Sequence, residues 1–142
     1  MSNSMKIRYT EVILDSPDTL VYWFKMNVTP WLHPQVISHH VTLVFGPSEK
    51  EINLPFGSKV KVHVLGYIDT CDVQAVMVRL EGATSKNDFP HVTVAVQPGI
   101  PPADTNKHIH NWIELEGPVL EGTLGFCTGS NHYTDLTPLR GD

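Results

Sequence analysis

Two copies of one short motif contain residue types that can move protons. His40 and Thr42 form the first His-x-Thr copy, and His91 and Thr93 form the second. An apolar residue follows each threonine, and a proline lies seven positions after each histidine. An imidazole with its ordinary pKa of about 6.5 can accept or donate a proton near neutral pH. The paired motifs therefore predict a two-histidine acid–base site.

These residue types suit chemistry on a phosphodiester. One imidazole would take a proton from the attacking oxygen, and the other would give a proton to the leaving oxygen. The hydroxyl groups of Thr42 and Thr93 would donate hydrogen bonds to the non-bridging oxygens. A single His-x-Thr copy would mean little, because threonine is common in strands and histidine often has a structural role there. The prediction depends on the repetition with matching flanks.

The motif copies are predicted to lie on two β-strands, over residues 37–45 and 91–96. Both stretches are rich in β-branched and apolar residues and end in a Gly–Pro or Pro–Gly turn. Because side chains alternate along a strand, each motif's histidine and threonine point the same way, about 6–7 Å apart. His39 is expected to point away from His40 and to lie outside the site.

The rest of the chain predicts about six strands and two short helices in total. The remaining predicted strands are residues 7–14, 59–69, 73–80 and 119–128, and the predicted helices are residues 18–26 and 103–113. No linker separates them, so a single domain over residues 1–142 is expected. Residues 1–4 and 130–142 are expected to be irregular.

Composition limits the partners of the protein. The net charge of −5 argues against binding to long duplex nucleic acid, which requires a basic surface, but leaves room for a small nucleotide or an RNA end. Cys71 and Cys127 are the only cysteines, and neither a secretory segment nor an apolar run of about 18 residues is present. A cytoplasmic, monomeric protein with no membrane partner is therefore expected.

The histidine spacing predicts no metal and no cofactor. Two cysteines are too few for a cysteine-rich zinc site, and the eight histidines form no His-x-x-x-His or His-x-Glu motif. His108 and His110 would point in different directions on a helix. No Gly-rich phosphate loop is present. A zinc enzyme is therefore a weak alternative.

The paired motifs resemble those of the 2H phosphoesterases. Residues 89–94, continuing through residues 98–102, are similar to the second motif of the cyclic phosphodiesterase modules of fungal and plant-type tRNA ligases. They also resemble the myelin-type 2′,3′-cyclic-nucleotide phosphodiesterase. Residues 120–125 fit the strand after that motif, and Phe45 matches an aromatic residue near the first motif. The resemblance covers most of residues 37–125.

The resemblance implies an α+β fold of two lobes. Two antiparallel sheets would surround a central cleft, with few short helices and one motif from each lobe. It also implies metal-independent hydrolysis of a 2′,3′-cyclic phosphate on a nucleotide or an RNA end. The product would be a 2′-phosphate, with His91 as the proton donor to the departing 3′ oxygen.

Three residues are predicted to contact the substrate. Phe45 and Pro98 lie beside the two motifs, and Trp31 lies in a loop before the first motif, where its ring could stack on a base.

Two alternative functions stay open. The same residues could cleave 2′–5′ oligoadenylate or cyclic oligonucleotide signals, since an acidic, compact chain suits a diffusible messenger. The chain could also be a nucleotide-binding module without turnover.

Overall fold

The computed structural model describes residues 6–137, which form mostly antiparallel β-structure. The elements in chain order are β1 (Ile7–Leu14), α1 (Pro17–Asn27), β2 (Gln35–Val36), β3 (His40–Phe45), β4 (Lys59–Asp69), β5 (Val73–Glu81), β6 (His91–Val96), β7 (Ile113–Glu114), β8 (Val119–Thr128) and β9 (Asn131–Tyr133). Two short 3₁₀ helices, Pro102–Lys107 and Ile109–Asn111, separate β6 from β7.

Six of these strands close into an antiparallel barrel. Their order is β4, β5, β6, β3, β1 and β8, and β8 pairs back onto β4. The closing pairs run from Lys59 opposite Thr123 to His63 opposite Val119. The short strands β2, β7 and β9 pair with β6, β4 and β8 respectively.

The prediction of a bilobal α+β fold with two sheets around a cleft is wrong. The β4–β8 pairing joins the two ends of one sheet, so no second sheet and no cleft between lobes is formed by the described residues. Closure satisfies the backbone groups that sheet edges would otherwise expose. Alternate side chains from all six strands share the interior: Val12, Leu14, Val41, Leu43, Val60, Val62, Val64, Val76, Val78, Val92, Val94, Leu120 and Leu124.

The long helix α1 adds to this same core. Pro17 stands at its start and Asp18 lies in its first turn, as the helix prediction for residues 18–26 required. Leu20 and Phe24, four residues apart, lie on one face and are fully buried in the barrel's core cluster. The prediction of this helix is confirmed. No helix within residues 6–137 is long and apolar enough to cross a membrane.

The outer face of β5 and β6 is covered by the 3₁₀ helices. A second apolar cluster there contains Met77, Val96 and Ile109, with Trp112 packed against it. The predicted helix over residues 103–113 is therefore wrong in type, because the chain forms two 3₁₀ turns and then enters β7. This cover places Pro102–Lys107 directly over the second motif.

Most strand predictions agree with the structure, and the exceptions are local. The strands predicted over residues 7–14, 59–69, 91–96 and 119–128 are confirmed, and β5 extends one residue beyond its prediction. The first motif strand begins only at His40, because Ser38 has a φ of 40° and Ile37 donates a hydrogen bond to Val94 of β6. The C-terminal residues 130–142, which were predicted to be irregular, contain strand β9. Residues 1–5 and 138–142 lie outside the described residues.

Candidate active site

The two His-x-Thr copies lie side by side on the barrel wall. β3 and β6 pair antiparallel, with Val41 opposite Val92. This pairing sets each histidine across from the other motif's threonine. Val41 and Val92 point into the barrel and are fully buried, so the motif side chains face outward, as the alternation predicted. The expectation of one motif from each of two lobes is wrong, since both lie on adjacent strands of one sheet.

All four motif side chains line one pocket of about 510 Å³. That volume lies within the usual range for small-molecule sites. The other lining residues come from β1, the end of β3, the loops that flank β3 and β6, and the first 3₁₀ helix: Arg8, Tyr9, Ile37, Phe45, Asn87, Pro101, Pro102, Ala103 and Asn106. Arg8 is the one Lys or Arg among the described lining residues, and these include no Asp or Glu.

His40 is held on three sides. Its Nε2 lies 3.2 Å from the Thr42 hydroxyl, its Nδ1 lies 3.1 Å from Nδ1 of His39, and its ring stacks on Tyr9 with centroids 5.2 Å apart. Burial lowers the pKa of His40 to about 3, with a further contribution from three neighbouring imidazoles. His40 is therefore a neutral imidazole near pH 7.

His91 has a different partner. Its Nδ1 lies 3.0 Å from the carbonyl oxygen of Phe89, which can only accept a hydrogen bond, so Nδ1 carries a proton. This leaves Nε2 as the nitrogen for proton transfer. Burial lowers the pKa of His91, whereas the bond to the Phe89 carbonyl favours the protonated form and opposes that shift.

The two threonine hydroxyls are already hydrogen-bonded. Thr42 pairs with His40, as described above, and Thr93 Oγ1 lies 2.9 Å from Thr105 Oγ1 and 3.3 Å from the carbonyl oxygen of Pro102. The 3₁₀ cover leaves Thr93 only 8 % exposed. A ligand that uses these hydroxyls must therefore exchange hydrogen bonds with the protein.

An aromatic row leads from His40 to the protein surface. Tyr9 stacks on His40 on one side and on Phe45 on the other, at 6.1 Å between ring centroids. Phe45 is 72 % exposed and lines the pocket, as its predicted substrate contact requires. Arg8, beside Tyr9, donates from Nη1 to the carbonyl oxygen of Gly129 at 2.6 Å. The sequence interpretation did not include Arg8 or Tyr9.

Two of the predicted substrate-contacting residues are not brought into this pocket. Trp31 is 81 % exposed in the loop after α1, and Pro98 is exposed in the turn after β6. Neither lines the pocket that the four motif side chains share.

A buried carboxyl group lies behind His40. Glu11 of β1 is fully buried; its Oε2 lies 2.7 Å from His132 Nδ1, and its Oε1 lies 3.6 Å from His40 Nδ1. Burial raises the pKa of Glu11 to about 8, and burial is also the main cause that lowers the pKa of His132.

His39 belongs to the same cluster as Glu11 and His132, contrary to the expectation that it points away from His40. It lies before β3, where strand alternation does not apply, and its ring lies 4.3 Å from the His132 ring. The sequence interpretation did not include Glu11 or His132. The one signal for Glu11 was a carboxyl residue in the otherwise uncharged stretch over residues 9–14 of β1.

Comparison with known proteins yields no family: no family model matches the chain, and no curated protein matches it significantly.

Proposed function

We propose that the protein is a metal-independent phosphodiesterase that opens 2′,3′-cyclic phosphates on small nucleotides or RNA ends. The observation that carries this proposal is the single pocket that His40, Thr42, His91 and Thr93 line together. The resemblance of both motifs to those of the 2H phosphoesterases supports the same chemistry. We further propose that the enzyme acts as a cytoplasmic monomer.

In the proposed hydrolysis, His40 is the general base. Its low pKa keeps Nε2 unprotonated, so this nitrogen can take a proton from the attacking water. His91 is the general acid and donates through Nε2 to the departing 3′ oxygen. As the water oxygen bonds to phosphorus, the bond from phosphorus to the 3′ oxygen breaks, leaving a 2′-phosphate.

The different partners of the two histidines support this assignment. The Phe89 carbonyl accepts from Nδ1 of His91 and so favours its imidazolium form. An anionic phosphate in the pocket would favour it further, because an opposite charge stabilises the charged form of a titratable group. No carbonyl of this kind contacts the His40 ring within the described part of the chain, where its neighbours are mainly other imidazoles and a buried carboxyl group.

The remaining pocket residues suit the rest of a nucleotide. Thr42 and Thr93 would donate hydrogen bonds to the non-bridging oxygens, which carry charge in the transition state. Arg8 would attract the anion, and the exposed ring of Phe45 would stack on the base. The amides of Asn87 and Asn106 offer both donors and acceptors to the ribose or base.

The test is a turnover assay in EDTA with 2′,3′-cyclic AMP, 2′–5′ oligoadenylate and a cyclic dinucleotide as substrates. We expect hydrolysis of 2′,3′-cyclic AMP to fall about 10²–10⁴-fold in His40→Gln and in His91→Gln. His63→Gln is the matched control, since His63 pairs with Glu81 on β4 and β5 and does not line the pocket.

Equal turnover by His40→Gln, His91→Gln and the wild type would refute the two-histidine mechanism. Preferred cleavage of 2′–5′ oligoadenylate or of the cyclic dinucleotide, with the same loss in both variants, would retain the mechanism and change the substrate class. Binding of these nucleotides without any product would favour a nucleotide-binding module instead.

A further inference from the structure

A compact set of ligating atoms lies behind the proposed acid–base pair. Glu11, His39 and His40 each offer one ligand atom, and these three atoms lie within 4.8 Å of one another. The two Nδ1 atoms are 3.1 Å apart, and Nδ1 of His40 is 3.6 Å from Glu11 Oε1. Tetrahedral zinc bonds of about 2.0–2.1 Å place neighbouring ligand atoms about 3.3–3.4 Å apart. Both of these distances from Nδ1 of His40 are close to the spacing of neighbouring ligand atoms in a zinc tetrahedron.

Within residues 6–137, the three ligating atoms have no hydrogen-bond partner outside their own set. Glu11 Oε1 is buried and has no hydrogen-bond partner among the described residues. An unsatisfied buried acceptor destabilises the folded state, and a cation at this position would remove that destabilisation. With Nε2 of the neutral His40 ring unprotonated, Nδ1 of His40 carries the ring proton and donates it to Nδ1 of His39. A cation between the two Nδ1 atoms would replace this proton and bind both lone pairs.

We propose that Glu11, His39 and His40 form a binding site for a divalent transition metal ion, with Zn²⁺ as the best match. Two imidazole nitrogens and one carboxylate oxygen suit zinc, whereas Ca²⁺ and Mg²⁺ prefer all-oxygen ligand sets. His132 contacts the other oxygen of Glu11 at 2.7 Å and so holds the carboxylate with Oε1 directed at the ion. A water molecule would complete four-coordination.

The metal site has a consequence for catalysis that rests on the proposed function. Zinc bound at Nδ1 of His40 requires that nitrogen to be unprotonated, so the proton of the neutral ring would be on Nε2. Nε2 would then be a donor only and could not take a proton from water. Zinc bound here would therefore inhibit the phosphodiesterase, and chelation would restore it.

The binding test uses the whole protein and does not depend on activity. Zn²⁺ is titrated by calorimetry, and Co²⁺ is added as a spectroscopic probe of tetrahedral coordination, to the wild type and to Glu11→Gln, His39→Gln and His132→Gln. We expect one Zn²⁺ per chain. The affinity should fall by at least about 100-fold when a ligand is removed and about 10–100-fold in His132→Gln.

His63→Gln is the control, because His63 forms a separate His–Glu pair with Glu81 that has no third ligand. We expect wild-type affinity in this variant. His39 is only partly buried, so His39→Gln gives a result even if Glu11→Gln perturbs folding. Absence of one-to-one binding, or equal affinity in His39→Gln and the wild type, would overturn the proposed site.

A second arm measures 2′,3′-cyclic AMP hydrolysis against Zn²⁺ concentration, with each variant compared with its own rate in EDTA. We expect the inhibitory Zn²⁺ concentration to rise at least about tenfold in His39→Gln. Site-specific zinc binding by a protein without phosphodiesterase activity would retain the metal site and refute the proposed function. If zinc binds at this site and the phosphodiesterase activity does not change, the inhibitory role is refuted.

Discussion

At the scale of single residues, two histidines of the same motif differ in what their Nδ1 atoms contact. Nδ1 of His40 faces another imidazole and a buried carboxyl group, whereas Nδ1 of His91 donates to a backbone carbonyl. The surroundings of His40 favour its neutral form, whereas the hydrogen bond from His91 to the carbonyl favours the protonated form of His91. Neighbouring side chains, and not the motif itself, therefore distinguish the proposed base from the proposed acid.

A prediction on the pH dependence of catalysis follows from these pKa shifts. Activity requires neutral His40, whose pKa is about 3, and protonated His91, whose pKa lies below 6.5. We expect kcat/KM for 2′,3′-cyclic AMP to be highest in the acidic range and to fall as the pH rises through the pKa of His91. His63→Gln should give the same profile. A rate that keeps rising from pH 6 to pH 8 would contradict the assignment.

A second residue-scale prediction concerns Arg8, the pocket's one Lys or Arg among the described lining residues. Arg8→Gln should raise KM for 2′,3′-cyclic AMP about tenfold, with little effect on kcat, because an exposed charge attracts the anion before and during reaction alike. Steady-state kinetics at low ionic strength measure this change, and added salt should reduce it. Arg79→Gln, an exposed arginine outside this pocket, is the control; equal effects in both variants would exclude a local role for Arg8.

At the scale of elements, β1 connects the proposed site to the barrel core. Its Tyr9 and Glu11 contact His40 on the outside, while Val12 and Leu14 are buried inside. β8 runs beside β1 over most of its length. The position of the site therefore depends on how closely these two strands approach each other.

Gly122 of β8 allows this close approach. A Cβ at this position would meet Val12 Cγ1 and lie 3.1 Å from the carbonyl oxygen of Ile13. Gly122→Ala should therefore lower the free energy of unfolding by about 1–3 kcal/mol, as overpacking of a core usually does. Urea denaturation measures the effect, with the exposed neighbour Glu121→Ala as control. Equal midpoints and slopes for the two variants would show that the strands can separate at low cost.

At the scale of the whole molecule, histidines and a glutamate whose pKa values shift on folding affect stability in opposite directions. Folding lowers the pKa values of His39, His40, His91 and His132, so the unfolded chain binds more protons below pH 6.5 and stability rises with pH there. Folding raises the pKa of Glu11 from 4.5 to about 8, so the folded state binds more protons in that window and stability falls with pH.

We therefore expect the free energy of unfolding to be greatest at about pH 6–7, where the histidine contribution is nearly complete and that of Glu11 is still decreasing. Glu11→Gln should abolish the decline between pH 6.5 and pH 8, since an amide does not titrate. Urea unfolding in EDTA at pH 5, 6.5 and 8 tests both statements. A wild-type stability that increases from pH 6.5 to pH 8 would contradict the raised pKa of Glu11.

The sequence by itself determined most strands and the outward direction of the motif side chains. Alternation of apolar and polar residues is a local property, and it predicted that His40 and Thr42 share one face. The helix α1 was likewise indicated by Pro17, Asp18 and the spacing of its buried residues.

Only the tertiary structure decided how these strands are joined and what surrounds the motifs. Barrel closure depends on pairing Lys59 with Thr123, and strand periodicity does not specify which strands become neighbours. The proposed metal ligands come from β1, from the residue before β3 and from the first residue of β3, and His132 comes from β9. Such a cluster leaves no local spacing motif, because the chain brings its members together only when the sheet closes.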